Sequence, residues 1–102
     1  MAGQTMVYGA DWCGDTRQTR LHLDELGVPY RYINIENDPA ARQWVLRQND
    51  GQQKLPTVDL GGLVLSVPSN GELDAGLRKK GLVPRVVPEE LEEPPEMGMR
   101  NA

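Results

Sequence analysis

The chain has 102 residues, enough for one domain with a modest core. At 38% hydrophobic and 25% charged its bulk is not disordered, and a net charge of −4 argues against nucleic acid as the main partner, because phosphate backbones call for a concentrated basic surface. No apolar run approaches the ~20 residues of a membrane-spanning helix, and the N-terminus lacks the charged start and apolar stretch of a signal peptide, so the cytoplasm is the expected compartment.

Gln4 to Ala10 reads as a short strand, with Thr5, Met6, Val7 and Tyr8 as a mostly apolar run ended by Gly9. A helix is expected from near Cys13 to Gly27. Thr16, Thr19, Leu23 and Leu26 recur three and four apart and share one face. Gly27 suits the left-handed position that stops a helix, and Pro29 lies just beyond. Tyr30 to Ile35 carries β-prone side chains and reads as a second strand. Asp38-Pro39 opens a second helix, Asp38 as cap and Pro39 at the first helical position, with Ala41, Trp44 and Val45 as its buried stripe. It should end near Asn49-Asp50-Gly51. Thr57 to Leu60 and Leu63 to Val67 are two strands joined through Gly61-Gly62, a strong hairpin signal. Ser69 and Glu72 have capping-box spacing, so a third helix is expected from about Asn70 to Lys80, stopped by Gly81.

The order is therefore β-α-β-α-β-β-α. The first βαβ unit demands a parallel pair with a right-handed crossover, and the hairpin adds two antiparallel strands. The fold class is α/β: a four-stranded mixed sheet with helices on both faces. The folded domain is expected over residues 1–83. Residues 84–102 interleave Pro84, Pro88, Pro94 and Pro95 with Glu89, Glu90, Glu92, Glu93 and Glu96, and read as a disordered acidic tail.

Chemistry concentrates at Trp12-Cys13-Gly14-Asp15-Thr16, where the first strand hands over to the first helix. Unpaired N–H groups at a helix start favour a thiolate, the nucleophile of thiol–disulfide exchange. The chain has one Cys and one His, which excludes an internal disulfide framework and a structural zinc site within one chain. No metal is expected. Cys13 could be an inert core thiol, but its place beside Trp12 and Gly14 at a helix start favours redox work. Asp15 reads as an ordinary first-turn acid, Thr16 as a core-facing helix residue, Trp44 as core and His22 as a solvated surface residue.

With these elements in order, the sequence resembles the glutaredoxin family over roughly residues 4 to 82. Trp12-Cys13-Gly14-Asp15-Thr16 matches the family's active-site segment. Lys54-Leu55-Pro56-Thr57-Val58 matches its Thr-Val-Pro segment before the hairpin, and Pro68-Ser69-Asn70-Gly71-Glu72-Leu73 stands where a glycine-rich turn opens the last helix. The resemblance implies a thioredoxin-like fold and a thiol–disulfide oxidoreductase with Cys13 as nucleophile. It implies a cis Pro56 facing Cys13, and a Leu55 backbone that pairs with an extended thiol ligand. Ser69 and Asn70 would hold a ligand carboxylate, as helix N-termini do, and Lys54 would offset ligand charge.

Thr16 stands where dithiol members carry the resolving Cys, so only a monothiol route through an external thiol is open. Ala10 and Gly71 replace a Lys and an Asp found in many members. The implied co-substrate is a low-molecular-weight thiol, either glutathione or one such as mycothiol or bacillithiol, with no tightly bound cofactor. The implied partners are protein mixed disulfides, met by a monomer. Two alternatives stand beside this reading: an iron–sulfur cluster carrier, and a redox-inactive thioredoxin-fold binding module.

Overall fold

The computed structural model describes residues 4–82. The acidic segment expected at 84–102 lies outside the described residues. Strand β1 (Thr5–Gly9) leads to helix α1 (Gly14–Leu26), strand β2 (Arg31–Asn34), a 3-10 turn (Ile35–Asn37) and helix α2 (Pro39–Gln48). Strands β3 (Thr57–Leu60) and β4 (Leu63–Ser66) and helix α3 (Asn70–Lys79) follow. The sheet order is β2-β1-β3-β4, with β1 parallel to β2 and antiparallel to β3, and β3 antiparallel to β4. This is the expected thioredoxin-like arrangement.

Alternation along the strands divides the core into two layers. Val7 and Val58 face α1 and α3, where they meet Leu23, Leu73 and Leu77. Tyr8 and Ile33 face the other side, against Ala41 and Val45 of α2, with Leu55 and Cys13 at the margin. Leu23, Leu73 and Leu77 are wholly buried, and each such side chain contributes about 1.5–3 kcal/mol.

The helix ends follow local chemistry. Asp38 accepts a hydrogen bond from the Ala41 N–H at 3.0 Å, with Pro39 in the first turn. Gly61 and Gly62 both take positive φ, 61° and 105°, which lets a two-residue turn follow the twist of β3 and β4. Two expectations need correction. β2 stops at Asn34 and Ile35 begins a 3-10 turn, because the Asn34 side chain accepts from the Glu36 N–H at 3.0 Å and curls the chain. His22 is no solvated surface residue: its side chain is 14% exposed and its Nε2 lies 2.7 Å from Asp74, joining α1 to α3.

Candidate active site around Cys13

Cys13 is the N-cap of α1, in extended conformation at φ −81° and ψ 120°. Its N–H donates to the Ala10 carbonyl at 3.1 Å, and its carbonyl accepts from the Arg17 N–H at 3.1 Å. The side chain caps nothing. It is half-buried, with Sγ 3.7 Å from the Leu55 carbonyl oxygen, to which the thiol donates. The Leu55–Pro56 bond is cis, as the resemblance implied. The Leu55 N–H has no acceptor among the described residues.

The turn carrying Leu55 and Pro56 is fixed from below. Thr57 Oγ1 donates to the Lys54 carbonyl at 2.7 Å, and the buried Asn49 amide donates to Thr57 Oγ1 at 3.1 Å and to the Val45 carbonyl at 2.7 Å. Ser66 closes the network from β4 by donating to Asn49 Oδ1. The Val67 N–H donates to the Pro56 carbonyl at 2.8 Å. Val67 itself holds φ 49°, a left-handed conformation unusual for a β-branched residue and costing about 1–3 kcal/mol.

A second set of contacts orders the loop before Cys13. Trp12 is 62% exposed, yet its indole N–H donates to Glu36 at 2.8 Å. The Tyr32 hydroxyl donates to the Asp11 carboxylate at 2.7 Å, and Arg17 donates to the Asp11 carbonyl at 3.0 Å. The Arg20 guanidinium lies 3.9 Å from the Tyr32 ring centre and donates to Tyr30. Burial, then the hydrogen bond to Asp11 and its charge, push the Tyr32 phenol up to about 12, with Arg20 opposing and Cys13 adding slightly. The phenol thus remains a donor, and the loop stays tied to β2.

Cys13, Leu55 and Pro56 come together at one end of the two central strands, where β1 ends and β3 begins. Gly14 and Asp15 form the exposed first turn of α1, and Lys54 is exposed. Thr16 turns away into the core: it is wholly buried, packs on Gly9, and its hydroxyl has no partner among the described residues. Ser69 and Asn70 lie at the α3 N-terminus. There the Ser69 N–H already donates to the Glu72 carboxylate at 2.8 Å, while Ser69 Oγ accepts from the Glu72 N–H at 3.1 Å. The capping-box spacing announced that pair. Glu36, Tyr32 and Arg20 had no such signal, because their partners lie 24, 21 and 10 residues away in the chain.

The family model for glutaredoxin matches residues 5–65, more than half of the chain. A glutaredoxin-type protein of Mycobacterium tuberculosis is 32% identical over 74 residues, covering 72% of this chain and 88% of its own. Mycoredoxin 1 of Corynebacterium glutamicum is 38% identical over 52 residues, and that match spans 51% of this chain and 63% of the relative. Among solved structures, a thioredoxin-like protein aligns with TM-score 0.67 at 25% identity, over 74% of this chain and 95% of that one. A buckwheat glutaredoxin–glutathione complex aligns with TM-score 0.63 at 23% identity, over 78% and 81%, and speaks for the fold alone. The chain belongs to the glutaredoxin family.

Proposed function

We propose that the protein is a thiol–disulfide oxidoreductase working by a monothiol route, with Cys13 as the exchanging sulfur. The observation that carries this is the placement of Cys13: half-buried at the N-cap of α1, with Sγ over the Leu55 carbonyl. In the forward step the Cys13 thiolate attacks a protein mixed disulfide. A bond forms between Cys13 and the sulfur of the low-molecular-weight thiol, the old S–S bond breaks, and the protein thiolate leaves with the electron pair and is protonated by solvent. A second thiol molecule then attacks the adduct and regenerates Cys13, releasing the low-molecular-weight disulfide.

Ionisation removes the S–H donor from the Leu55 carbonyl. Carbonyl and N–H are then both open to pair with an extended ligand backbone, as one strand pairs with another. Trp12 and Gly14 frame the sulfur, and Thr16 and Asp15 begin the helix that presents it. Lys54 faces the ligand's anionic end, with Pro56 beneath the ligand and Ser69 and Asn70 at its far end. The co-substrate is glutathione, mycothiol or bacillithiol. We place the protein in the cytoplasm as a monomer acting on protein mixed disulfides.

A turnover assay on a protein mixed disulfide, with excess thiol and a disulfide-reductase readout, tests the reading. The native chain should turn over and Cys13→Ser should fall to background. Equal turnover by both would remove Cys13 from the chemistry.

A further inference from the structure

We infer that Asn49 and Thr57 are positioning residues of the exchange reaction: they hold the Lys54–Leu55 peptide unit so that the Leu55 N–H stands ready for the amide backbone of the incoming disulfide. The inference rests on the proposed reading of Cys13 as the exchanging sulfur. Both side chains are buried, so each acts through its neighbours.

The hydrogen bonds around Asn49 have only one possible direction. The Val45 carbonyl can only accept, so the Asn49 atom 2.7 Å from it is the amide nitrogen. The same nitrogen reaches Thr57 Oγ1 at 3.1 Å. Asn49 Oδ1 takes the proton of the Ser66 hydroxyl. Thr57 therefore accepts from Asn49 and has one proton of its own to give. That proton goes to the Lys54 carbonyl at 2.7 Å. Asn49 fixes the direction of the hydroxyl, and the hydroxyl fixes the carbonyl.

The Lys54 carbonyl and the Leu55 N–H belong to one peptide unit. That unit is trans, since Leu55–Pro56 is the cis bond among the described residues. In a planar trans unit the C=O and N–H point in opposite directions. Tying the carbonyl to Thr57 thus turns the Leu55 N–H away from the buried network, and it has no acceptor among the described residues. A residue before proline favours an extended backbone, which sets its own N–H and C=O on one side. For Leu55 that side faces Cys13, because its carbonyl lies 3.7 Å from Sγ. A ligand carbonyl is the partner that the N–H lacks.

The covalent step is ordinary exchange. The Cys13 thiolate forms an S–S bond to one sulfur of a disulfide, the original S–S bond breaks, and the second half leaves as a thiolate that solvent protonates. Asn49 and Thr57 act on how the disulfide is held during that step.

The test compares two uncharged disulfides on the full chain by intact-mass spectrometry. The disulfide of N-acetylcysteine N-methylamide carries an amide on each side of its sulfur-bearing residue, and hydroxyethyl disulfide carries none. The ratio of their adduct rates separates backbone pairing from the reactivity of the sulfur. Thr57→Val keeps the shape but removes the hydroxyl, and should lower the ratio about fivefold. Thr57→Ser returns a hydroxyl and should bring the ratio to within about twofold of native. Asn49→Ala should lower the ratio about twofold, and should lower it no further in the Thr57→Val background, because Asn49 acts through Thr57. On the native chain, the Leu55 amide should exchange its hydrogen more slowly in the amide-bearing adduct than in the hydroxyethyl adduct, a readout independent of any variant's folding. A ratio that stays native in Thr57→Val, rates that fall equally for both disulfides, or a Leu55 amide equally exposed in both adducts would overturn the positioning role. Absence of adduct with either disulfide on the native chain would instead refute the oxidoreductase reading, and the positioning role with it.

Discussion

Replacing Gly9 by Ala tests how the core holds the start of α1. A Cβ on Gly9 would lie 2.5 Å from Thr16 Oγ1, closer still to its Cγ2, and 3.0 Å from its Cβ, against 3.4–4 Å for ordinary contact. The overlap is therefore about 1 Å with two atoms of a wholly buried side chain. Retreat is blocked on one side, because Gly9 is paired with Asn34 of β2. Overpacking of this kind costs about 1–3 kcal/mol, and we expect about 2. For a domain of this size that lowers Tm by about 8–16 °C.

Thr16→Ala removes Oγ1 and Cγ2 and leaves only the 3.0 Å contact. In that background the cost of Gly9→Ala should fall below about 1 kcal/mol, a coupling of about 1–2 kcal/mol in the double-mutant cycle. Urea unfolding of the four proteins, followed by circular dichroism, measures it. Thr16 lies three residues beyond Cys13, so Gly9→Ala should also slow adduct formation at Cys13, and Thr16→Ala should restore it in part. Strict additivity of the two substitutions would refute the argument that these atoms collide.

The remaining expectations concern Thr16 and Tyr32. Thr16→Val exchanges a buried hydroxyl that lacks a partner for a methyl of similar shape, and should stabilise the fold by about 1 kcal/mol in urea unfolding; destabilisation of that size would mean the hydroxyl is bonded. The Tyr32 phenol, raised from 10.0 to about 12 in the fold, favours the native state while protonated. Its contribution is present below about pH 10 and lost as pH rises through about 12. Titration of tyrosinate absorbance should show a step near 12 that Tyr32→Phe deletes, and a titration unchanged by that substitution would refute the Asp11 link.

The helix ends were legible because they are written locally. Asp38-Pro39, Ser69 with Glu72, and the glycines at 27, 61, 62 and 81 act within a few residues of the chain, and each lies where its chemistry predicts. Strand faces were legible for the same reason, since Val7 and Tyr8 alternate by the pleat. Distant partners were not. His22 finds Asp74 across 52 residues and Trp12 finds Glu36 across 24. Spacing carries no trace of such pairs, since they exist only after α1 has packed beside α3 and the 3-10 turn has formed. The site was half legible. The place of Cys13 at a strand-to-helix junction follows from Gly9 and the α1 periodicity. The Leu55 carbonyl opposite Sγ entered only through the family resemblance, and the positive φ of Val67 had no signal, its β-branched side chain and the following proline both speaking against it.

The most direct test is intact-mass spectrometry of the full chain incubated with a low-molecular-weight disulfide, in parallel under native conditions and in urea. With one Cys per chain, any mixed disulfide is on Cys13. The account predicts a single adduct, formed faster by the folded chain than by the unfolded one and reversed by the matching free thiol. A folded chain that stays unmodified, or reacts no faster than the unfolded one, would contradict it.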